Sequence, residues 1–256
     1  MVVLRQRFQT QSIIRGERYG AKAIDHLWTD RSINIYRLPF MELSVITLFA
    51  ANTPNGHKIS IALEEMALPY EVRRMAPGDL ASAEFRSLNP NGKIPVIVDR
   101  DGQQVVYESN AILLYLSEKA DMLMPRTPDA RIEALQLLFF QAASIGPMFG
   151  QRAHFTKVAP ERPPTVVERF TAEGARLEAV MDEMLTGRDY FAGEYSIVDI
   201  SIFGWLNASV AAGFAIDERA RLKAWFDRVA ARAAVQRGIR ILAAPSGVAA
   251  RPGAAA

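Results

Sequence analysis

Every stretch of this chain that reads as a β-strand falls between Leu43 and Tyr107, and the residues beyond Tyr107 read as helix and turn. That segregation confines any sheet to one compact domain and leaves an all-helical remainder. Leu43 to Ala50 is a short apolar run that fits a buried strand. A turn cluster, Asn52-Thr53-Pro54-Asn55-Gly56, comes next, and Ile59, Ala62, Leu63 and Met66 then recur at helical spacing. Tyr70 to Met75 fits a second strand, and Ala81 to Leu88 a short helix ending at Asn89-Pro90-Asn91-Gly92. Ile94 to Asp99 and Gln103 to Tyr107 flank Asp99-Arg100-Asp101-Gly102 as a hairpin. Ser109 then caps a helix through Lys119 with Ile112, Leu113 and Leu116 on one face. The order βαβαββα implies an α/β domain with a mixed sheet over 42–120.

A linker with Pro125 and Pro128 spans 121–128, and an all-α bundle occupies 129–243. Leu135, Leu138, Phe139 and Ala142 share a face in one helix of that bundle; Leu177, Val180, Met181, Met184 and Leu185 share one in another. Gly146-Pro147 is expected to interrupt or kink the first of these helices. Residues 1–41 show weak periodicity and form an N-terminal extension; Met41 is either a natural start or the end of a real arm. The tail over 244–256, with Pro245, Gly247, Pro252, Gly253 and terminal alanines, is expected to be disordered.

Of the 256 residues, half are hydrophobic and 23% are charged, enough for a buried core under a polar surface. The apolar run from Ile197 to Ala215 is broken by Asp199 and Asn207, which argues for buried core helices and against a membrane span. The Arg-rich start carries Glu17, Asp25 and Asp30 and has no continuous apolar core, so it does not read as a secretory signal; a cytoplasmic protein is expected. A net charge of +2 leaves no surplus for tracking phosphates, which makes nucleic acid an unfitting partner. There is no cysteine, so any thiol chemistry must use a borrowed thiol. Three scattered histidines give a metal site little to build on, and no metal is expected.

Three segments can carry chemistry. Lys93-Ile94-Pro95-Val96 stands where a loop enters a strand; a cis Ile94–Pro95 bond would turn the Ile94 backbone outward to pair with an extended peptide, and a trans bond would make it an ordinary strand edge. Glu108-Ser109 lies at a helix start, where Glu108 can receive an ammonium group and Ser109 a carboxylate, or where Ser109 is a plain cap. Thr53-Pro54-Asn55-Gly56 opens the first helix, and the Thr53 hydroxyl and Asn55 amide can donate to an anion there, or serve as a turn and cap. A fourth pattern, Ser196-Ile197-Val198-Asp199, is a structural capping box before a buried helix.

Together these pieces resemble the glutathione S-transferases over roughly residues 43–243. In finer detail Thr53-Pro54-Asn55-Gly56-His57-Lys58, Asn89 to Pro95 and Gly146-Pro147-Met148-Phe149-Gly150-Gln151 are similar to the bacterial Nu class, related to the yeast nitrogen-regulator prion protein. The resemblance implies a thioredoxin-like domain followed by a helical bundle, a homodimer, and glutathione as cosubstrate. It implies that Ile94, between Lys93 and Pro95, pairs with the cysteinyl part, that Glu108 and Ser109 hold the γ-glutamyl end, and that Thr53 and Asn55 approach the sulfur as the catalytic pair. It further implies that Arg169 of the partner subunit reaches the ligand. Met148, Phe149, Phe155 and Trp205 are expected to line the second-substrate pocket. Two departures stand out. The family's glutamine before Glu84-Phe85 is replaced, with Leu80 and Ala81 nearby, and the Thr53 loop lacks the usual serine, tyrosine or cysteine catalyst.

Three functions fit this reading. In a glutathione-dependent disulfide-bond reductase, Thr53 and Asn55 stabilise a glutathione thiolate that attacks a disulfide. In a transferase or ether-cleaving lyase the same thiolate attacks an electrophilic carbon. The third is a noncatalytic glutathione-binding scaffold, motivated by the N-terminal arm.

Overall fold

The computed structural model describes residues 46–243, so the expected arm over 1–41, the first residues of the first strand and the expected disordered tail over 244–256 lie outside the described residues. Five consecutive buried residues form β1 (Ile46–Ala50), and α1 (Pro54–Glu65) begins after a three-residue loop. Thr53 is the N-cap of α1: its Oγ1 accepts from the Gly56 N–H at 3.1 Å, with Pro54 at the position that has no intrahelical partner for an N–H. β2 (Tyr70–Arg74) completes the first crossover, and a 3₁₀ turn (Pro77–Ala81) and α2 (Ala83–Leu88) lead on to the next strand. β3 (Val96–Asp99) and β4 (Gln104–Tyr107) form the hairpin, and α3 (Ser109–Ala120) closes the domain.

The sheet order is β2-β1-β3-β4, with β1 parallel to β2 and antiparallel to β3, and β3 antiparallel to β4. This is the thioredoxin-like sheet that the sequence implies. Its register decides where the site lies. Phe49 pairs with Val96 and Val96 with Tyr107, so the end of β1, the start of β3 and the end of β4 share one edge. The Thr53 loop, the Ile94–Pro95 segment and Glu108-Ser109 are the next residues along each strand, and they converge there.

The helical part begins with α4 (Pro128–Phe140), capped by Thr127. It runs without a break through a widened π turn (Gln141–Ile145) into α5 (Gly146–Ala153) and a second π turn (His154–Val158). The expected interruption at Gly146-Pro147 therefore takes the form of a π turn. Pro147 has no N–H for the preceding turn and its ring would crowd the carbonyl four residues back, and the wider turn relieves both. The span Pro128–Val158 covers 31 residues and contains an 18-residue stretch of mean hydropathy 1.3, long and apolar enough to cross a bilayer by composition alone. In the fold its Leu137, Leu138, Ile145 and Phe149 belong to the core, and Gln141 and Arg152 are buried within it.

The bundle continues with α6 (Pro164–Met184), α7 (Ile197–Ala211), α8 (Ala220–Ala230) and α9 (Ala233–Ala243). α7 is largely apolar and buried without a break from Ile197 to Gly204, as a central helix is. Its expected capping box forms: Ser196 Oγ accepts from the Val198 N–H at 3.2 Å and Asp199 Oδ2 from the Ser196 N–H at 2.9 Å. α9 returns to the sheet domain, where Gly238 lies against Ile61, Arg232 pairs with Glu65, and Arg237 with Glu64.

Candidate functional site

Two helix N-termini point into the common edge, and each leaves N–H groups without an intrahelical partner. At α1 the Thr53 hydroxyl oxygen is already committed as a cap, so only its proton remains for a ligand. That proton is loosely held, by the Ala51 carbonyl at 3.4 Å. At α3 the residue before the helix is Glu108, which makes no side-chain cap bond, and Ser109 is the first helical residue. The expectation that Ser109 is the N-cap is corrected by one position. Glu108 has φ 66 and ψ 113, a conformation costly for a side-chain-bearing residue, and it leaves Glu108 exposed beside the open first turn.

The Ser109 hydroxyl is turned inward. It donates to Asn55 Oδ1 at 3.4 Å and receives the Lys58 ammonium group at 3.1 Å, so the two helix starts are joined. Asn55 Oδ1 also accepts from the Trp205 indole N–H at 2.8 Å. Gly204 is what lets α7 approach so closely, because a Cβ there would lie 2.7 Å from the Pro54 carbonyl oxygen.

The Ile94–Pro95 bond is cis, and neither Ile94 N–H nor C=O has a protein partner among the described residues. Buried Asn89 fixes the approach to it: its Nδ2 donates to the Lys93 carbonyl at 2.7 Å and its Oδ1 accepts from the Asn91 N–H at 3.0 Å. Gly92, with φ +63, makes the turn between them. The Lys93 side chain is exposed.

Beneath this edge lies a buried polar cluster that sequence reasoning missed. Lys58 is 1% exposed and donates to Gln141 Oε1 at 2.6 Å and Asn110 Oδ1 at 3.3 Å, besides Ser109. Ser201 donates to the same two oxygens, at 2.6 Å to Asn110 and 3.0 Å to Gln141, and Asn110 Nδ2 donates to the Leu138 carbonyl at 2.7 Å. Burial lowers the Lys58 pKa to about 7, opposed by the Glu108 carboxylate. His57 beside it is also buried, and its pKa is lowered by desolvation. The available signal was a lysine on the apolar-patterned first helix, three residues after Asn55 and so on its face.

The expected second-substrate wall is only partly assembled. Trp205 reaches the site, and half-buried Met148 belongs to the same helix, α5, against which the indole packs. Phe149 is 2% exposed and lies in the core under the Arg152 guanidinium, 4.5 Å from the ring centroid, which corrects the expectation that it lines the pocket. The Phe155 ring stacks on Phe170 at 5.6 Å, an α6 contact. Arg169, next along α6, is exposed. Among the described residues no cluster of metal-ligating side chains occurs.

Two family models match this architecture: the N-terminal domain of glutathione S-transferase over residues 53–119 and the C-terminal domain over 137–233. The disulfide-bond oxidoreductase YfcG of Escherichia coli K12 is 38% identical over 198 residues, covering 74% of this chain and 92% of that protein. A glutathione transferase family member from Pseudomonas fluorescens, solved with two glutathione bound, superposes with a TM-score of 0.73 at 37% identity, over 86% of this chain and 99% of that one. One from Pseudomonas putida, with one glutathione disulfide per subunit, gives the same TM-score and identity over 86% and 96%.

Proposed function

The chain belongs to the glutathione S-transferase family, and from that membership and the geometry of the sheet edge we propose that it is a glutathione-dependent disulfide-bond reductase. One observation carries the reading: the Ser109–Asn55 hydrogen bond brings an open helix N-terminus suited to a carboxylate beside a second one suited to a thiolate. A γ-glutamyl group at Glu108 and Ser109, a cysteinyl backbone paired to Ile94 next to Lys93 and Pro95, and a sulfur near Thr53 and Asn55 fit the order of those segments along the edge.

The Thr53 proton and Asn55 Nδ2 donate to the sulfur and favour the thiolate. The thiolate attacks one sulfur of a substrate disulfide, forming a mixed disulfide and expelling the other sulfur as thiolate, which takes up a proton. A second glutathione thiolate attacks the mixed disulfide at the glutathione sulfur, giving glutathione disulfide and the second substrate thiol. With no cysteine in the chain, both attacking sulfurs come from glutathione. The relatives solved with two glutathiones or with their disulfide are consistent with this sequence of steps. A cytoplasmic location, where the glutathione pool is reduced, suits it.

The test is reduction of 2-hydroxyethyl disulfide by glutathione in the wild type and in Thr53→Ala with Asn55→Ala. Loss of turnover in the double variant with glutathione still bound supports the reading. A wild type that binds glutathione and reduces no disulfide overturns it, and trimmed chains lacking residues 1–41 then test the scaffold alternative.

The Trp205 indole beside Asn55, with Met148 on the adjoining helix, favours a second reading, transfer of the thiolate to an apolar electrophile or cleavage of an ether. Glutathione thioethers from a panel of electrophiles and aryl ethers would reveal it. A homodimer is supported by Ile132 and Phe139, seven residues apart on one face of α4 and 57% and 71% exposed. In such a dimer Arg169 of the partner subunit is assigned to the ligand. Arg169→Ala is then expected to raise the glutathione KM while leaving stability within about 0.5 kcal/mol, as surface changes do.

A further inference from the structure

Asn55 carries two faces, a carbonyl oxygen that accepts and an amide nitrogen that donates, and only the second can favour a thiolate. Which face meets the ligand is settled by what holds the other. The indole N–H is a donor with no accepting capacity, so the atom 2.8 Å from Trp205 Nε1 must be Asn55 Oδ1. The Ser109 hydroxyl takes the second lone pair of that oxygen. Nδ2 has no acceptor among the described residues and is not a buried unpaired atom, so it faces the open edge. Rotating the amide by half a turn would set N–H against N–H at the indole.

The indole is itself held. A Cβ at Gly146 would stand 3.3 Å from Trp205 Nε1 and Cε2, and one at Gly150 3.3 Å from its Cη2. The two glycines, four residues apart on one face of α5, form a slot that receives the ring, the pyrrole end at Gly146 and the benzene end at Gly150. Their spacing belongs to the Gly146-to-Gln151 motif, whose chemistry was otherwise unassigned. Gly204 adds the third constraint, seating α7 on the first turn of α1 one residue before Trp205 and one before Asn55.

We propose that Trp205 is a positioning residue: its indole N–H, seated on Gly146 and Gly150, locks the Asn55 amide so that Nδ2 donates to the glutathione sulfur. The proposal rests on the thiolate reading of the Thr53 loop. Trp205 touches no reacting atom; it acts through Asn55. Its removal should change the acidity of the bound thiol and the turnover, with little change in glutathione affinity.

The test uses the full chain with Trp205→Phe, which keeps an aromatic ring and removes the donor. A second variant places benzothienylalanine at position 205 alone, keeping the bicyclic shape without the N–H, and serves if the phenylalanine variant does not fold. The readout is the ultraviolet absorbance of enzyme-bound glutathione thiolate as a function of pH, beside kcat and KM. The expected result is a bound-thiol pKa raised by about one unit and kcat lowered about tenfold at neutral pH, with KM within about twofold. If Asn55→Ala raises the bound-thiol pKa and the Trp205 variants titrate like the wild type, the positioning role is overturned and the thiolate reading stands. If Asn55→Ala leaves the titration unmoved as well, the thiolate reading of the loop fails, and the role of Trp205 with it.

Discussion

Lys58 Nζ lies 2.6 Å from Gln141 Oε1, a bond between the first helix of the sheet domain and the π turn in the long helical span. Its acceptors, Ser109, Asn110 and Gln141, come from both halves of the chain, and Ser201 closes the cluster from α7. Hydrogen bonds between residues 83 apart in sequence make the Lys58 amine part of the domain junction as well as of the site floor. An amine with its three N–H groups satisfied this way would normally stay charged, yet burial dominates and brings its pKa to about 7.

Stability should therefore depend on pH through this residue. Unfolded, Lys58 keeps the proton up to the ordinary 10.5; folded, it releases it near 7. Between those values the unfolded chain binds more protons, so stability rises with pH, by at most about 1.4 kcal/mol per unit. Above 10.5 the contribution is complete, and below about 7 it is lost. Urea denaturation at a series of pH values should show this slope in the wild type and a flatter one in Lys58→Met, which keeps the stem and removes the proton site. Equal slopes would mean that the amine remains charged when folded.

At the start of α1, one turn before Lys58, Thr53 has a structural duty that activity measurements must separate from a catalytic one. Its oxygen caps Gly56 N–H, so Thr53→Ala should cost about 1 kcal/mol, while Thr53→Ser, which retains the oxygen, should cost a few tenths. Thermal denaturation of the two variants checks this. If both are equally stable, the cap contributes nothing and any loss of turnover in the alanine variant belongs to the ligand.

The features legible in the sequence were those that depend on neighbours along the chain. Short apolar runs between turn residues placed the strands and period-3.6 patterns several of the helices, and the Ser196–Asp199 spacing announced its capping box because both partners belong to one turn. The segments at the sheet edge were also legible, because each directly borders a strand or opens a helix. Side-chain direction across domains was not. Nothing near Gln141 in the chain says that it meets Lys58, and the one-residue error at Ser109 arose because Glu108 takes a positive φ that no local pattern predicts. Phe149 was placed by its aromatic character alone, which does not say whether a ring faces a pocket or the core, and it lies in the core at 2% exposure.

Asp199 does more than cap its own helix. Its carboxylate, 0% exposed, accepts from the Ser196 and Phe191 N–H groups and from the Trp225 indole at 2.8 Å, so it ties the start of α7 to the preceding loop and to α8. Asp199→Ala would remove the acceptor of four buried donors, the Ser196 hydroxyl among them, and with about 1–3 kcal/mol for each one left unpaired the expected loss is at least about 3 kcal/mol. Denaturation followed by tryptophan fluorescence, to which Trp225 contributes, measures it directly. A loss of about 1 kcal/mol, the ordinary value for a cap, would show that the loop and α8 find other partners.

The return of α9 onto α1 sets two opposing effects against each other at Gly238. In an isolated helix Gly238→Ala would stabilise by about 1 kcal/mol through lower backbone entropy in the unfolded chain. Here the new Cβ would stand 2.6 Å from Ile61 Cα and N, backbone atoms that cannot swing aside, and the Gly238 carbonyl would lose its place under the Ser60 hydroxyl at 2.7 Å. Overpacking of this kind costs about 1–3 kcal/mol or more, so the clash should prevail and the net effect be destabilising. Gly78→Ala, at a glycine with nothing within 4 Å of the new methyl, is the control and should stay within about 0.5 kcal/mol of the wild type. Because α1 carries Asn55 at its N-terminal end, the same displacement should lower disulfide-reductase turnover. Hydrogen exchange along α9 distinguishes the causes: faster exchange there with lost stability is the expected pattern, and a stabilised protein with unchanged exchange would mean that α9 does not pack on α1 in solution.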